Sequence, residues 1–112
     1  MQIEGKKVND LLIVTPLEKR LDASAAADFK GKIVDWINSG NNRIVLDLSR
    51  VDFIDSSGLG AIVSCLKTLG SNGDLVICGI QETVMSLFQL TRMNRVFQIF
   101  PTEAEALEAL AT

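Results

Sequence analysis

Apolar positions along the chain alternate between short continuous runs and stretches with helical spacing. The runs Leu11–Thr15 and Ile44–Leu48 are rich in branched residues, as is typical of strands covered on both faces. The apolar positions between them recur at helical spacing until Gly40, at Phe29, Ile33, Trp36 and Ile37. The pattern predicts strand, amphipathic helix and strand, with Asp22 or Ser24 as the N-cap. Residues 2–8 are expected to pair with the first strand across an Asn9-Asp10 turn.

The second half of the chain repeats this alternation of strands and helices. Its predicted elements are a helix from about Ser57 to Leu69, a turn at Asn72-Gly73, a buried strand Leu75–Cys78, a short helix Glu82–Leu90, a final strand Val96–Phe100 and a last helix opened by Pro101-Thr102, where Thr102 and Glu105 form a capping box. Alternating strands and helices indicate an α/β fold with a mixed sheet and right-handed crossovers.

Size and charge narrow the class of protein. The 112 residues suit one compact domain, 1–112, with a single core. The net charge of −3, without any run of Lys and Arg, disfavours direct nucleic-acid binding. No apolar stretch resembles an export signal or reaches membrane-spanning length, so we expect a cytoplasmic protein with no membrane partner. Nothing in the sequence requires a homo-oligomer, and a monomer is expected.

The residues that are missing argue against an enzyme. The chain has no histidine, which excludes a Ser-His-Asp arrangement and His-rich metal sites. It also lacks a GxxxxGK[ST] loop for nucleotide phosphates and a GxSxG elbow for a serine nucleophile. Cys65 and Cys78 fit buried small hydrophobes, and a Mg²⁺ site built from Asp22, Asp47 and Asp55 is disfavoured. We expect no cofactor and no metal.

One loop carries the strongest candidate chemistry, the stretch Asp55-Ser56-Ser57-Gly58-Leu59-Gly60 between a predicted strand and the following helix. In α/β folds the loops leaving the carboxyl ends of strands carry function. A serine at a helix N-terminus is exposed, and a phosphate there lies near the positive end of the helix dipole. A simple N-cap explains the same residues equally well.

The helix that follows this loop separates into two predicted faces. The core face comprises Leu59, Ile62, Val63, Leu66 and Leu69. The outer face comprises Ser57, Gly60, Ala61, Ser64 and Thr68, with Lys67 at its edge. Small residues reduce helix propensity, so this outer face suggests close approach by another protein, although an accidental small face is the alternative. A phosphate on Ser57 would oppose such docking.

The sequence resembles the STAS-domain anti-sigma factor antagonists, the SpoIIAA-like family. The resemblance covers nearly the whole chain and is most specific over Val51–Gly60, with support from Leu21-Asp22 and from Asp74–Gly79. It implies a STAS-like α/β domain whose mixed sheet of about four to five strands carries four helices mainly on one face. One departure stands out, because many relatives have a Gly shortly before the Leu-Asp pair, whereas this chain has Glu18-Lys19-Arg20. Partner specificity is therefore in question.

The resemblance also implies a function, partner switching. The unphosphorylated protein would bind an anti-sigma factor that is also its serine kinase, of the GHKL ATPase type, and so release a sigma factor. Phosphorylation of Ser57 would abolish binding, and a PP2C-type phosphatase would reverse it. The implied partner-binding residues are Asp22, Asp55, Ser56, Ser57, Gly58, Gly60, Ala61, Ser64, Lys67 and Thr68.

Several alternatives remain open at the level of sequence. A non-phosphorylated STAS scaffold or transporter-associated subunit could use the same helix face, and a weak nucleotide-binding protein or NTPase is a further alternative. Asp47 is expected either to hydrogen-bond the 55–57 loop or to face solvent at a sheet edge. Arg92 and Arg95 are expected in a solvated turn.

Overall fold

An antiparallel hairpin begins the chain in the computed structural model, which describes residues 1–111. Ile3–Val8 (β1) pairs with Leu11–Pro16 (β2), so the predicted hairpin is confirmed. Its turn places Asn9 at a φ of 56°, in the left-handed region that asparagine tolerates better than most residues. The turn therefore forms without the glycine that such hairpins usually contain.

The remaining elements follow the predicted alternation. They are β3 (Arg20–Leu21), α1 (Ala23–Asn38), β4 (Arg43–Asp47), β5 (Phe53–Ile54), α2 (Ser56–Leu69), β6 (Asp74–Cys78), α3 (Glu82–Leu90), β7 (Ile99–Phe100) and α4 (Glu103–Leu110). The main sheet has the order β1-β2-β4-β6-β7, antiparallel only between β1 and β2. The predicted α/β fold with a mixed sheet and four helices is confirmed.

Each face of the main sheet has its own apolar core, because successive side chains of a strand point to opposite faces. On one face, residues such as Leu12, Ile44 and Ile77 pack with α1, α2 and α3. On the other face, Ile13 and Val45 pack with α4. Three helices therefore cover one face and a single short helix covers the other.

A second, two-stranded sheet was not predicted. Strands β3 and β5 pair in parallel, with Arg20 opposite Phe53 and Leu21 opposite Ile54. Each strand is only two residues long, which is too short for the alternation of apolar and polar residues that identifies a strand in sequence. This small sheet places Arg20-Leu21 directly beside the segment that leads to α2.

The predicted final strand Val96–Phe100 was too long. Met93–Arg95 form a short 3₁₀ helix, Val96 is 51% exposed, and only Ile99 and Phe100 pair with β6. Phe97 instead turns into the core and makes an edge-to-face contact with Phe88. Burial of this aromatic ring, rather than strand pairing, therefore decides the path of the segment.

Candidate functional site

The N-terminus of α2 is built around Asp55. Its Oδ1 accepts a hydrogen bond of 3.0 Å from the Gly58 amide, so Asp55 is the N-cap and α2 begins at Ser56. Ser57 is the second residue of the helix, and it is exposed. Because the capping position is filled by Asp55, Ser57 is not needed as a cap.

The loop before α2 rests on strand β3. The Asp55 amide donates to the Leu21 carbonyl at 3.4 Å, and a side chain at Gly58 would overlap that same carbonyl oxygen. Gly58 is therefore buried, and glycine at this position allows the close approach of the two backbones. These contacts with β3 fix the position of the backbone that carries Ser57.

Asp55 also joins the starts of two helices. Its Oδ2 accepts from the Ala23 amide at 3.2 Å, while Asp22 caps α1 by accepting from the Ser24 amide at 3.1 Å. The Ser24 hydroxyl, which donates to Asp22 at 2.6 Å, lowers the pKa of that carboxyl, and Arg20 lowers it further. Two carboxylates and two helix N-termini thus lie side by side at the base of the loop.

The outer face of α2 differs from the predicted one at Ala61. Gly60, Lys67 and Thr68 are exposed and Ser64 is half-buried, but Ala61 is only 6% exposed and packs in the core. The placement of Ala61 on the outer face was therefore wrong.

The core face of α2 also differs from the predicted one. Leu59, Ile62 and Leu69 are buried, whereas Val63 and Leu66 are only half-buried. Cys65 is fully buried instead, so the buried side of the helix is rotated towards Cys65. Val63 and Leu66 lie at the edge of the buried side, where each is partly exposed at the surface.

A shallow groove of about 370 Å³ separates α2 from α3. Its lining residues, most of which come from α2, are Ser56, Leu59, Gly60, Val63, Ser64, Lys67, Leu87, Thr91 and Met93. Four of the predicted partner-binding residues line the groove: Ser56, Gly60, Ser64 and Lys67. Ser57 is the chain neighbour of Ser56 and is not itself part of the lining.

The structure also shows the positions of three other charged residues, Asp47, Arg92 and Arg95. Asp47 accepts a hydrogen bond of 2.9 Å from the Ser49 amide, at the end of the central strand β4. It therefore shapes its own turn rather than bonding to the 55–57 loop, and it is half-buried on a central strand rather than at the predicted sheet edge. Arg92 and Arg95 are exposed around the 3₁₀ helix after α3, with Arg92 at a φ of 61°.

Residues 1–111 contain neither a cluster of metal ligands nor a membrane-spanning helix. No group of three or more His, Cys, Asp or Glu side chains in that range could hold a metal ion. None of the helices in the same range combines the length and the apolar character needed to cross a bilayer.

Comparison with known proteins identifies the family. The family model for the STAS domain matches residues 2–106, which is nearly the whole chain. The chain belongs to the STAS domain family. Within it, a curated relative from Paenibacillus polymyxa named anti-sigma F factor antagonist is 32% identical over 98% of this chain and 95% of that protein. The chain is therefore a STAS domain of the anti-sigma factor antagonist family.

Solved structures of STAS domains agree with this fold. The crystal structure of the Thermotoga maritima protein TM1081 is 35% identical, with a TM-score of 0.90 over 96% of this chain and 93% of that one. The unphosphorylated form of SpoIIAA has a TM-score of 0.83 over 97% and 96% of the two chains, and at 23% identity it supports the fold alone. The STAS fold predicted from the sequence is confirmed.

Proposed function

We propose that this STAS domain is a partner switch controlled by phosphorylation of Ser57. Its unphosphorylated form binds an anti-sigma factor that is also a GHKL-type serine kinase, and this binding frees a sigma factor. The observation that carries the proposal is the exposure of Ser57, which follows the groove-lining residue Ser56 and is not needed to cap α2.

The proposed binding face consists of the serine loop and the groove. Ser56, Gly60 and Ser64 present little bulk, so a partner helix or loop can approach the α2 backbone closely, while Val63 and Met93 offer apolar contact. Lys67 adds a positive charge at the lining of the groove. Asp22 and Asp55 support this face from below by fixing the starts of α1 and α2.

A phosphate on Ser57 acts on this face through charge and bulk. It adds a charge of roughly −1.5 to −2 close to the Asp55 carboxylate, so the modified loop becomes strongly anionic. The N-terminal end of α2 tolerates that charge, and the fold survives. A partner that buries the loop has to remove the phosphate from water beside the Asp55 carboxylate, and binding weakens. SpoIIAA, a distant neighbour, has been solved in a phosphorylated form, so a phosphate is compatible with the fold.

The switch needs no catalytic group of its own. ATP belongs to the kinase, and a PP2C-type phosphatase restores the unmodified form. The names of curated relatives support this role, since they include antagonists of anti-sigma F and anti-sigma B factors.

The first test adds ATP and a purified GHKL-type serine kinase, the candidate partner being chosen from the genes beside that of this chain. We expect intact mass to increase by one phosphate, and peptide mapping to place it on Ser57. Ser57→Ala should remove the increase, and Ser56→Ala should retain it. Equal phosphorylation of Ser57→Ala would contradict the assignment. Tight binding to the kinase without any phosphate transfer would instead favour a STAS scaffold.

The second test measures affinity for the same kinase. Ser57→Asp should weaken binding by at least about 10-fold, equivalent to about 1.4 kcal/mol. Ser71→Asp is the matched control, because Ser71 is exposed in the turn that follows the far end of α2. An unchanged dissociation constant for Ser57→Asp would exclude the electrostatic mechanism.

A further inference from the structure

An exposed pair of side chains, Arg20 and Phe53, lies beside the serine loop. The two residues face each other across β3 and β5, and the Arg20 guanidinium carbon lies 3.9 Å above the centre of the Phe53 ring. Phe53 is 38% exposed, although large apolar side chains are usually buried. The pair is a cation–π contact formed at the surface, before any partner binds.

Local contacts hold the Arg20 side chain in place. Its Nε donates to Asp22 Oδ2 at 3.3 Å, and its flat guanidinium stacks on the Phe53 ring. Among the described residues 1–111, its two terminal nitrogens make no hydrogen bond. Arg20 therefore offers donors in a fixed orientation, and little side-chain entropy remains to be lost when they bind a ligand.

Arg20 has both acidic and basic neighbours. It lines a cleft of about 550 Å³ that also contains Glu18, Lys19 and Asp22. Both acidic side chains are already engaged, because Glu18 accepts from the Gln2 amide at 3.3 Å and Asp22 caps α1. Lys19, by contrast, makes no ion pair within residues 1–111. Glu18 and Asp22 balance the charges of Lys19 and Arg20, so the attraction of this cleft for an anion comes from the unused N–H donors of Arg20.

Arg20 and Phe53 are connected to the serine loop through the chain and through one backbone hydrogen bond. Phe53 is two residues before Asp55, and the Asp55 amide donates to Leu21, the residue after Arg20. The serine loop and the small sheet are therefore directly joined.

We propose that Arg20, stacked on Phe53, is a specificity-determining contact that binds a carboxylate on the partner kinase. A guanidinium that uses only its Nε internally presents a fork of N–H donors, which matches the two oxygens of an Asp or Glu side chain. The Phe53 ring fixes the plane of that fork and contributes apolar contact. This inference rests on the proposed function, because it assigns part of the surface that the same kinase covers.

The test measures dissociation constants for the same purified kinase, at about 50 mM and about 300 mM salt. Arg20→Gln should weaken binding about 10-fold at the lower salt concentration. Arg20→Lys, which keeps the charge and loses the planar fork, should recover only part of the affinity. Phe53→Leu should give an intermediate loss, since the apolar contact remains and the stacking surface is removed. The effect of Arg20→Gln should shrink at high salt because ions screen the contact.

Controls separate this contact from a structural effect. Lys32→Gln removes the same charge from an exposed position on α1 and should bind as the wild type does. Amide exchange at Ser24 in Arg20→Gln should match the wild type, which shows that Asp22 still caps α1. Wild-type affinity in Arg20→Gln overturns the inference. If Ser57→Asp loses affinity in that case, the proposed switch still stands, whereas a wild-type chain that fails to bind the kinase overturns both proposals.

Discussion

At the scale of single residues, two glycines in the first turns of α2 make a matched pair. A methyl group at Gly58 would overlap the Leu21 carbonyl and press on Ile54, whereas nothing lies within 4 Å of the corresponding position at Gly60. We expect Gly58→Ala to lower the free energy of unfolding by about 2–3 kcal/mol, because the loop has to move off β3. Gly60→Ala should raise it by up to about 1 kcal/mol through better helix propensity. Urea unfolding at neutral pH measures both changes.

The same pair separates stability from binding at the proposed partner face. Gly60 lines the groove, so Gly60→Ala should fold more stably and yet bind the kinase more weakly. Equal stability of the two variants would contradict the close packing at Gly58. A sequence cannot make this distinction, because a small residue in a helix can serve either an internal contact or an external one. Ala61 is a case of this, since its small side chain fits the interior of this protein.

At the scale of elements, α4 is the one helix within residues 1–111 that packs on its face of the sheet, and Arg43 secures its end. The Arg43 guanidinium donates to the Leu110 carbonyl at 2.7 Å and to Asp10 at 3.0 Å, and its Nε lies 3.5 Å from Asp74. We expect Arg43→Met to release the last turn of α4, so that amide exchange over Leu107–Leu110 becomes about 10-fold faster. Hydrogen–deuterium exchange followed by mass spectrometry measures this change.

The control for Arg43 is Arg50→Met, an equivalent change at an exposed position. It should leave exchange in α4 unchanged, and neither variant should alter exchange in α2. Uniformly faster exchange throughout the Arg43→Met variant would contradict a local role. About 300 mM salt should leave most of the wild-type protection in place, because the bond to the Leu110 carbonyl depends less on screening than the carboxylate pairs do.

Elements whose apolar residues recur at a regular spacing could be predicted from the sequence. Elements that form through contacts between distant segments could not. The bounds of α3 were predicted without error, because its apolar positions recur regularly between Gln81 and Thr91. The β3–β5 pair and the short β7 form where segments distant in sequence meet. Each of these strands has only two residues, which is too short to show an alternation of apolar and polar positions. The serine loop was identified correctly as a helix start. Its attachment to β3, and the stacked Arg20 and Phe53, required the structure, because the partners lie about thirty residues apart in the chain.

At the scale of the whole molecule, titratable groups predict how stability depends on pH. Hydrogen bonds lower the pKa values of three aspartates: Asp10 through Arg43, Asp22 through Ser24 and Asp28 through the terminal amine. Since these carboxyls are stronger acids when folded, their contribution is present above the ordinary value of 3.8 and is lost as pH falls through the folded values. Stability should therefore decline below about pH 4.

The two buried cysteines lead us to expect a loss of stability at alkaline pH. Burial raises the pKa of Cys65 to about 11 and that of Cys78 to about 12, from an ordinary value of 9.0. A thiol whose folded pKa is raised contributes stability below its ordinary value, and that contribution is lost as pH rises towards the folded value. Because the chain has no histidine, the urea midpoint should be flat between about pH 5 and pH 8 and should fall above about pH 9. The double variant Cys65→Ala/Cys78→Ala should show a shallower alkaline fall, and an unchanged slope would assign that fall to other groups.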